Sequence, residues 1–87
     1  MNIILAPRAE KELRHLNKTD QIVIANKIRS LSKDQPISHV EKLAGYTDIF
    51  RVRVGHFRIV YKKNQHQLYI ILIAHRKDVY SLLKRLF

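Results

Sequence analysis

The chain has no cysteine, and it has only two glycines and two prolines among its 87 residues. Without cysteine, neither a disulfide framework nor a thiolate metal site is available. The scarcity of glycine and proline argues against long flexible linkers, and the sequence shows no repeat or low-complexity segment. We therefore expect one small domain over residues 1–87, with one modest hydrophobic core.

Long hydrophobic runs are also missing. The longest apolar run, Leu68 to Ala74, is far shorter than the roughly 18 residues that a membrane-spanning helix needs. The segment from Met1 to Pro7 lacks the basic start and the long apolar core of a signal peptide. These features predict a cytoplasmic protein with no membrane partner.

Negative charge is scarce, because seven Asp and Glu oppose seventeen Lys and Arg and leave a formal net charge of +10. Such an excess is typical of nucleic-acid binding. An ordinary basic surface and a polyanionic protein partner are alternatives that composition leaves open.

Several catalytic patterns are absent as well. The seven carboxylates are scattered, and the five histidines show no metal-ligand spacing such as His-x-x-x-His. The chain has no phosphate-binding glycine loop and no Gly-x-Ser-x-Gly motif. We therefore expect no metal site and no cofactor.

The first half of the chain predicts one strand and two helices. Asn2 to Leu5 is apolar enough for a strand, and a helix over Pro7 to Leu16 would begin with proline at its first position. The short Asn17-Lys18 link implies an antiparallel helical hairpin. Thr19 is the expected N-cap of the second helix, which Asp34-Gln35-Pro36 should end.

The second half predicts three strands and a final helix. A loop is expected through Glu41, followed by a strand that begins near Asp48 and a strand over Phe57 to Lys62. Leu68 to Ala74 is apolar at every position, as expected for a central strand covered on both faces. Val79 to Phe87 is predicted to form a short amphipathic helix. The resulting order β-α-α-β-β-β-α predicts an α+β domain with a twisted, mostly antiparallel sheet.

The most regular segment alternates apolar and basic residues on both sides of Gly55-His56. Alternation at period two is typical of a half-buried strand, and a two-residue connection with glycine first suits a type II′ turn. The predicted register pairs Val54 with Phe57, Arg53 with Arg58, Val52 with Ile59 and Arg51 with Val60. Arg51, Arg53 and Arg58 then share one face. Because like charges directly opposite each other destabilise a sheet, this face indicates an anionic ligand.

Three more polar residues follow the last strand, namely His75, Arg76 and Tyr80. The guanidinium fork of arginine matches phosphate oxygens, and several arginines would stabilise the charge that develops on a phosphate under attack. RNA carries its own nucleophile, the 2′-hydroxyl. His75 and Tyr80 are the candidates for proton transfer, because arginine is a poor base.

Each candidate also has a purely structural interpretation. Arg51, Arg53 and Arg58 can be solvent-facing strand residues, His75 a hydrogen-bonded structural histidine, and Tyr80 a core residue with a polar tip.

Four segments together carry a family resemblance: Lys42-Leu43-Ala44-Gly45, Phe50-Arg51-Val52-Arg53-Val54, Phe57-Arg58-Ile59-Val60-Tyr61 and His75-Arg76-Lys77-Asp78-Val79-Tyr80. Through them the chain resembles the RelE/ParE superfamily of toxins from bacterial and archaeal toxin–antitoxin systems, most of all its RelE branch. The resemblance covers essentially the whole chain, including its size and element order.

This resemblance implies a small, metal-independent endoribonuclease that cleaves mRNA in the ribosomal A site. The implied reaction is 2′-hydroxyl transesterification, which leaves a 2′,3′-cyclic phosphate and a free 5′-hydroxyl. The implied partners are the ribosome, mRNA and a cognate, acidic antitoxin that wraps the toxin. The implied RNA-binding residues are Lys42, Arg51, Arg53, Arg58 and Arg76, with Arg58 and Arg76 stabilising the phosphate and Tyr80 stacking on or orienting the substrate.

The chain departs from the RelE pattern at Arg51 and Arg53, where relatives often carry lysine. Arginine keeps the charge and weakens a general-base role at these positions. Either His75 takes that role, or catalysis rests mainly on orientation and charge stabilisation. The same fold also allows a ParE-like gyrase inhibitor, and a non-catalytic domain that binds RNA or antitoxin is a third alternative.

Overall fold

A computed structural model describes residues 1–33, 37 and 39–75. The elements of this part are β1 (Asn2–Leu5), α1 (Pro7–His15), α2 (Lys18–Leu31), β2 (Val40–Lys42), β3 (Ile49–Val54), β4 (Phe57–Lys63) and β5 (Gln67–His75). Its strands form one five-stranded sheet in the order β1-β5-β4-β3-β2. Only β1 and β5 pair in parallel within that sheet. The predicted α+β class, helical hairpin and mostly antiparallel sheet are therefore confirmed.

The predicted C-terminal helix, Val79 to Phe87, lies outside the described residues. Neither α1 nor α2 has the length and apolar character needed to cross a bilayer.

Proline and a polar capping residue mark the starts of the two helices, but the capping residue of α2 differs from the predicted one. Helix α1 begins at Pro7 as predicted. The N-cap of α2 is Asn17, whose side-chain oxygen accepts a hydrogen bond of 2.8 Å from the backbone N–H of Asp20. The prediction of Thr19 as the cap is wrong, because α2 begins at Lys18 and Thr19 already lies in its first turn. Helix α2 ends at Leu31, and the predicted stop at 34–36 lies outside the described residues.

Strand β2 lies where the sequence predicted a loop. It has three residues, Val40–Lys42, and only the first is apolar. Three residues are too few for an alternating pattern to show. The strand exists because it pairs with β3, matching Val40 with Val52 and Lys42 with Phe50.

The β3–β4 hairpin has the predicted register. Val54 pairs with Phe57, Arg53 with Arg58, Val52 with Ile59 and Arg51 with Val60. In its turn Gly55 has a φ of 58° and His56 has no positive φ, which is the pattern of a type II′ turn. Because side chains are strained at this φ, glycine at position 55 favours this turn and hence this register.

The core lies between the helices and one face of the sheet. Its buried residues are Ala9, Ile24, Ile28 and Leu31 from the helices and Val52, Val54, Ile59, Tyr61, Leu68, Ile70 and Ile73 from the strands. A smaller cluster, Leu43, Ile49, Val60, Leu72 and Ala74, lies on the other face. Strand β5 contributes to both clusters, so the prediction that it is apolar on both faces is confirmed.

A bulge in β5 changes which residues face the helices. Val60 pairs with Leu72 while its neighbour Tyr61 pairs with Ile70, so Ile71 is an extra residue. Before the bulge, Ile70 packs into the core beneath the helices, and after it Ile73 does so. By alternation, His75 then also faces the helices.

Helix α1 supports β5 where β1 no longer pairs with it. The last β1–β5 pair is Leu5 with Ile70. Further along, the carboxylate of Glu12 accepts a hydrogen bond of 3.1 Å from the backbone N–H of Ile73. This contact satisfies a donor on the side of β5 that β1 leaves uncovered.

The helix cap provides a test of the corrected α2 boundary. We expect Asn17→Ala to lower the free energy of unfolding by about 1 kcal/mol, because it leaves a first-turn N–H without its acceptor. Thr19→Ala is the matched control and should cost less than about 0.5 kcal/mol. Urea denaturation monitored by circular dichroism measures both, and a larger loss for Thr19→Ala would contradict the assignment.

The burial of Tyr61 makes the free energy of unfolding depend on pH in the alkaline range. Burial raises its pKa from 10.0 to about 12, so between these values the folded chain holds a proton that the unfolded chain releases. Its contribution to stability is complete below pH 10 and declines as the pH rises through 12. Between pH 8 and pH 11 the wild type should therefore lose about 1 kcal/mol more stability than Tyr61→Phe, as measured by urea denaturation. Equal losses in the two proteins would contradict this role.

Candidate functional site

Three arginines lie together on the face of the sheet opposite to the face that α1 and α2 cover. Val52 and Val54 pack into the core beneath the helices, so alternation directs Arg51 and Arg53 to the other face. Arg58 is directly opposite Arg53. The structure thus brings the three sequence-predicted arginines onto one surface, which we call the arginine face.

The three arginines differ in exposure. The Arg51 side chain is only 12% exposed and forms an ion pair with Glu41. Arg53 is exposed, and its Nε donates a long hydrogen bond of 3.4 Å to the carbonyl oxygen of Gly55. Arg58 is half-buried, with its Nη1 out of contact with solvent. Arg53 is therefore the arginine most accessible to an incoming anion, while Arg51 and Arg58 are held against the sheet.

The arginine face continues into the smaller apolar cluster. Arg51 is paired with Val60, and Arg58 is paired with Ala74 on β5. Both partners are buried members of that cluster. Charges beside buried apolar side chains interact more strongly with an anion than charges surrounded by water, because the local dielectric constant is lower.

Glu41 is a site residue that the sequence pattern did not indicate. It lies on β2 directly opposite Arg51, and its side chain is 66% exposed. The position of Glu41 next to Arg51 follows from the pairing of β2 with β3. Strand β2 has only three residues, which are too few to predict a strand from the sequence. Glu41 is a negative charge that competes with any anion for Arg51.

His75 lies on the opposite face of the sheet from the arginines. Its ring is stacked on that of His56, with centroids 6.3 Å apart and an interplanar angle of 10°. It also meets the ring of Phe57 edge-on at 6.3 Å. These rings line a cleft of about 250 Å³ between the hairpin turn and α2, where Val23 and Ile24 form the other wall. The structure does not bring His75 together with the arginine face.

The remaining predicted residues lie elsewhere. Lys42 is exposed on the edge strand and is paired with Phe50, whose ring stacks on Tyr61 at the core. It is therefore on the helix side of the sheet. Arg76 and Tyr80 lie outside the described residues.

A different histidine shares a cavity with the arginine face. His39, Arg53 and Gly55 line a cavity of about 270 Å³. Because His39 directly precedes β2, its position, like that of Glu41, depends on a pairing that local sequence patterns do not show. Within 1–33, 37 and 39–75, no group of three or more His, Asp and Glu side chains is arranged to hold a metal ion.

Comparison with known families identifies the class of protein. A family model described as "ParE toxin of type II toxin-antitoxin system, parDE" matches residues 3–80. The chain belongs to this family of type II toxin–antitoxin toxins.

Individual relatives indicate the branch. The chain is 27% identical over 85 residues to Toxin RelE3 of Methanocaldococcus jannaschii, covering 93% of this chain and 97% of that protein. The isolated Escherichia coli RelE toxin superposes with a TM-score of 0.73 at 25% identity, over 99% of this chain and 98% of that one. A chain of the RelB-RelE antitoxin-toxin complex from Methanococcus jannaschii gives 0.72 at 23% identity, over 88% and 94%. These similarities to RelE toxins agree with the resemblance that the sequence predicted.

Removal of the Glu41 charge tests the electrostatics of the arginine face. We expect Glu41→Gln to bind a short single-stranded RNA roughly two- to fivefold more tightly at low salt, because Arg51 loses its competing carboxylate. The advantage should shrink as salt is raised. Fluorescence anisotropy with a labelled RNA measures the affinity.

Glu10→Gln is the matched control, because it makes the same change in net charge at an exposed position on α1. An equal gain in both variants would show that only net charge matters and that the arginine face is not the binding surface.

Proposed function

We infer that this toxin is a ribosome-dependent endoribonuclease that cleaves mRNA in the A site and so stops translation. The observation that carries the proposal is the arginine face, where Arg53 and Arg58 are direct cross-strand neighbours despite the repulsion between like charges. A phosphate group between such side chains replaces that repulsion with two charge-assisted interactions. The similarity to RelE toxins supports the same conclusion.

The proposed chemistry uses the nucleophile that RNA already carries. The 2′-oxygen attacks the adjacent phosphorus, the bond to the 5′-oxygen breaks, and the products are a 2′,3′-cyclic phosphate and a 5′-hydroxyl. Negative charge accumulates on the phosphate oxygens during this step, and fixed guanidinium groups stabilise it without reorganising.

The exposure of each arginine suggests its part in the reaction. Arg53 is exposed and able to contact the backbone of the incoming RNA first. Arg58, half-buried between Arg53 and Ala74, is the more rigid group and the better candidate for the transition-state charge. Arg51 supports binding when the phosphate displaces Glu41 from it. The roles of Arg76 and Tyr80 rest on the sequence resemblance alone.

The net charge of +10 suits a large polyanionic target. The ribosome and its mRNA supply such a target, and association should be strongly salt-dependent. The same charge suits an acidic antitoxin. Structural neighbours of the chain include toxins in RelB-RelE complexes from Methanococcus jannaschii and RelBE complexes from E. coli, and we propose a cognate antitoxin of this kind as the protein partner.

A second candidate function is inhibition of DNA gyrase. The family description, which names ParE toxins, favours it. It requires protein binding and no RNA chemistry, so an assay of gyrase supercoiling separates it from the first candidate.

Arg58 provides the direct test of the nuclease. In a translating extract, primer extension should reveal new mRNA ends with the wild type, and Arg58→Ala should lower the cleavage rate by at least about 100-fold, as expected for loss of a transition-state charge partner. Arg29→Ala is the control, because it removes the same charge from an exposed position in the last turn of α2.

Circular dichroism must show that both variants stay folded. Absence of cleavage by the wild type would overturn the proposed function, and equal cleavage by Arg58→Ala would remove the arginine face from it.

A further inference from the structure

The arginine face supplies positive charge, but it lacks an evident base. Arginine stays protonated at any physiological pH and cannot accept the proton of the 2′-hydroxyl. His75, the histidine indicated by sequence, faces the helices and stacks on His56. A proton acceptor near this face, if it comes from the described residues, is therefore a residue other than His75 and the three arginines.

We propose that His39 is the general base of this toxin and takes the proton from the 2′-hydroxyl. This inference rests on the proposed function and names one further catalytic residue for it.

The β2–β3 register places His39 on the arginine face. The last pair of that ladder is Val40 with Val52, so His39, the residue before β2, lies at the end of the ladder near Arg53, and both residues line one cavity. Arg53 in turn is paired with Arg58. The imidazole of His39 therefore lies close to the guanidinium group of Arg53, and the guanidinium group of Arg58 belongs to the cross-strand neighbour of Arg53.

The backbone of His39 is strained in a way that fixes this position. Its φ is 66°, in the left-handed region, which costs most side chains about 1–2 kcal/mol. Strained non-glycine residues are concentrated at functional sites, where side-chain placement outweighs the cost. A glycine at position 39 would adopt this backbone without a penalty, so the presence of histidine suggests that its side chain is used.

The imidazole is chemically suited to the step. A neutral imidazole accepts a proton near physiological pH. In the proposed step His39 takes the 2′-hydroxyl proton as the 2′-oxygen forms its bond to phosphorus. The bond from phosphorus to the 5′-oxygen breaks, its electron pair stays on that oxygen, and a proton from water completes the 5′-hydroxyl. The imidazolium then returns its proton to solvent.

Within residues 1–33, 37 and 39–75, the charged neighbours of His39 on this face are Arg53, Arg51 and Glu41. Arg53 lies near His39 on the neighbouring strand β3. Arg51 lies two residues from Arg53 along β3, where it forms an ion pair with Glu41 of β2. Arg53 can hold the phosphate while His39 reaches the adjacent ribose, because both side chains open into one cavity.

The variant His39→Asn tests the proposal without disturbing the fold. Asparagine tolerates a left-handed backbone as well as histidine does, but it does not accept a proton. With programmed ribosomes carrying A-site mRNA, we expect kcat to fall at least about 100-fold, in the range of a lost general base, while KM changes less than about threefold. The increase of the cleavage rate with rising pH should disappear in this variant.

Two matched histidine variants complete the experiment. His66→Asn changes the β4–β5 turn, at the other end of the sheet from the hairpin turn, and should leave kcat and its pH dependence unchanged. His75→Asn tests the sequence-predicted alternative and should keep the pH dependence.

The outcomes separate this inference from the proposed function. If the wild type cleaves and His39→Asn cleaves with the same rate and pH profile, His39 is not the base and the nuclease assignment stands. If His75→Asn alone loses the pH dependence, His75 is the base and the proposal for His39 is overturned. If the wild type does not cleave ribosome-bound mRNA, the proposed function fails and the inference fails with it.

Discussion

The register of the β3–β4 hairpin is the constraint on which the rest of the structure depends. A slip of one residue would turn Val52 and Val54 to the opposite face and drive Arg51 and Arg53 beneath the helices. The turn at Gly55, with its φ of 58°, opposes such a slip. The same register decides where β2 can pair, and therefore where Glu41 and His39 lie relative to the arginines.

A comparison of energies explains why this register is stable although it places Arg53 and Arg58 opposite each other. Burial of a valine or isoleucine side chain contributes about 1.5–3 kcal/mol, and the hairpin buries Val52, Val54 and Ile59 together. Two arginines directly opposite each other cost on the order of 1 kcal/mol or less in water. Hydrophobic burial therefore sets the register and outweighs the repulsion between the two arginines. The two adjacent positive charges that result can attract an anion. Glu41 offsets part of the charge in the free protein, and an acidic partner would offset more.

Within the described part of the chain, the sheet has one side that α1 and α2 cover and that stabilises the fold, and an opposite side that carries the arginine face. The bulge at Ile71 in β5 exchanges the two sides along that strand and turns His75 toward α2. The chain belongs to a family of type II toxin–antitoxin toxins, and its similarity to RelE toxins supports our proposal that the arginine face is an RNA-cleaving surface. On that proposal the phosphate-binding groups come from the hairpin, and the proton acceptor comes from the residue before β2.

The sequence by itself determined what depends on local periodicity and turn chemistry. The start of α1, the hairpin register and the shared face of the arginines follow from patterns within a few neighbouring residues, and the α+β class and the RelE resemblance follow from the order of such patterns along the chain. Only the tertiary structure decided the rest. Strand β2 is too short to show a period and exists through its pairing with β3, the bulge in β5 reverses the alternation that would have put His75 elsewhere, and His39 reaches Arg53 through a pairing between segments fourteen positions apart. These features depend on contacts distant in sequence, which no local pattern encodes.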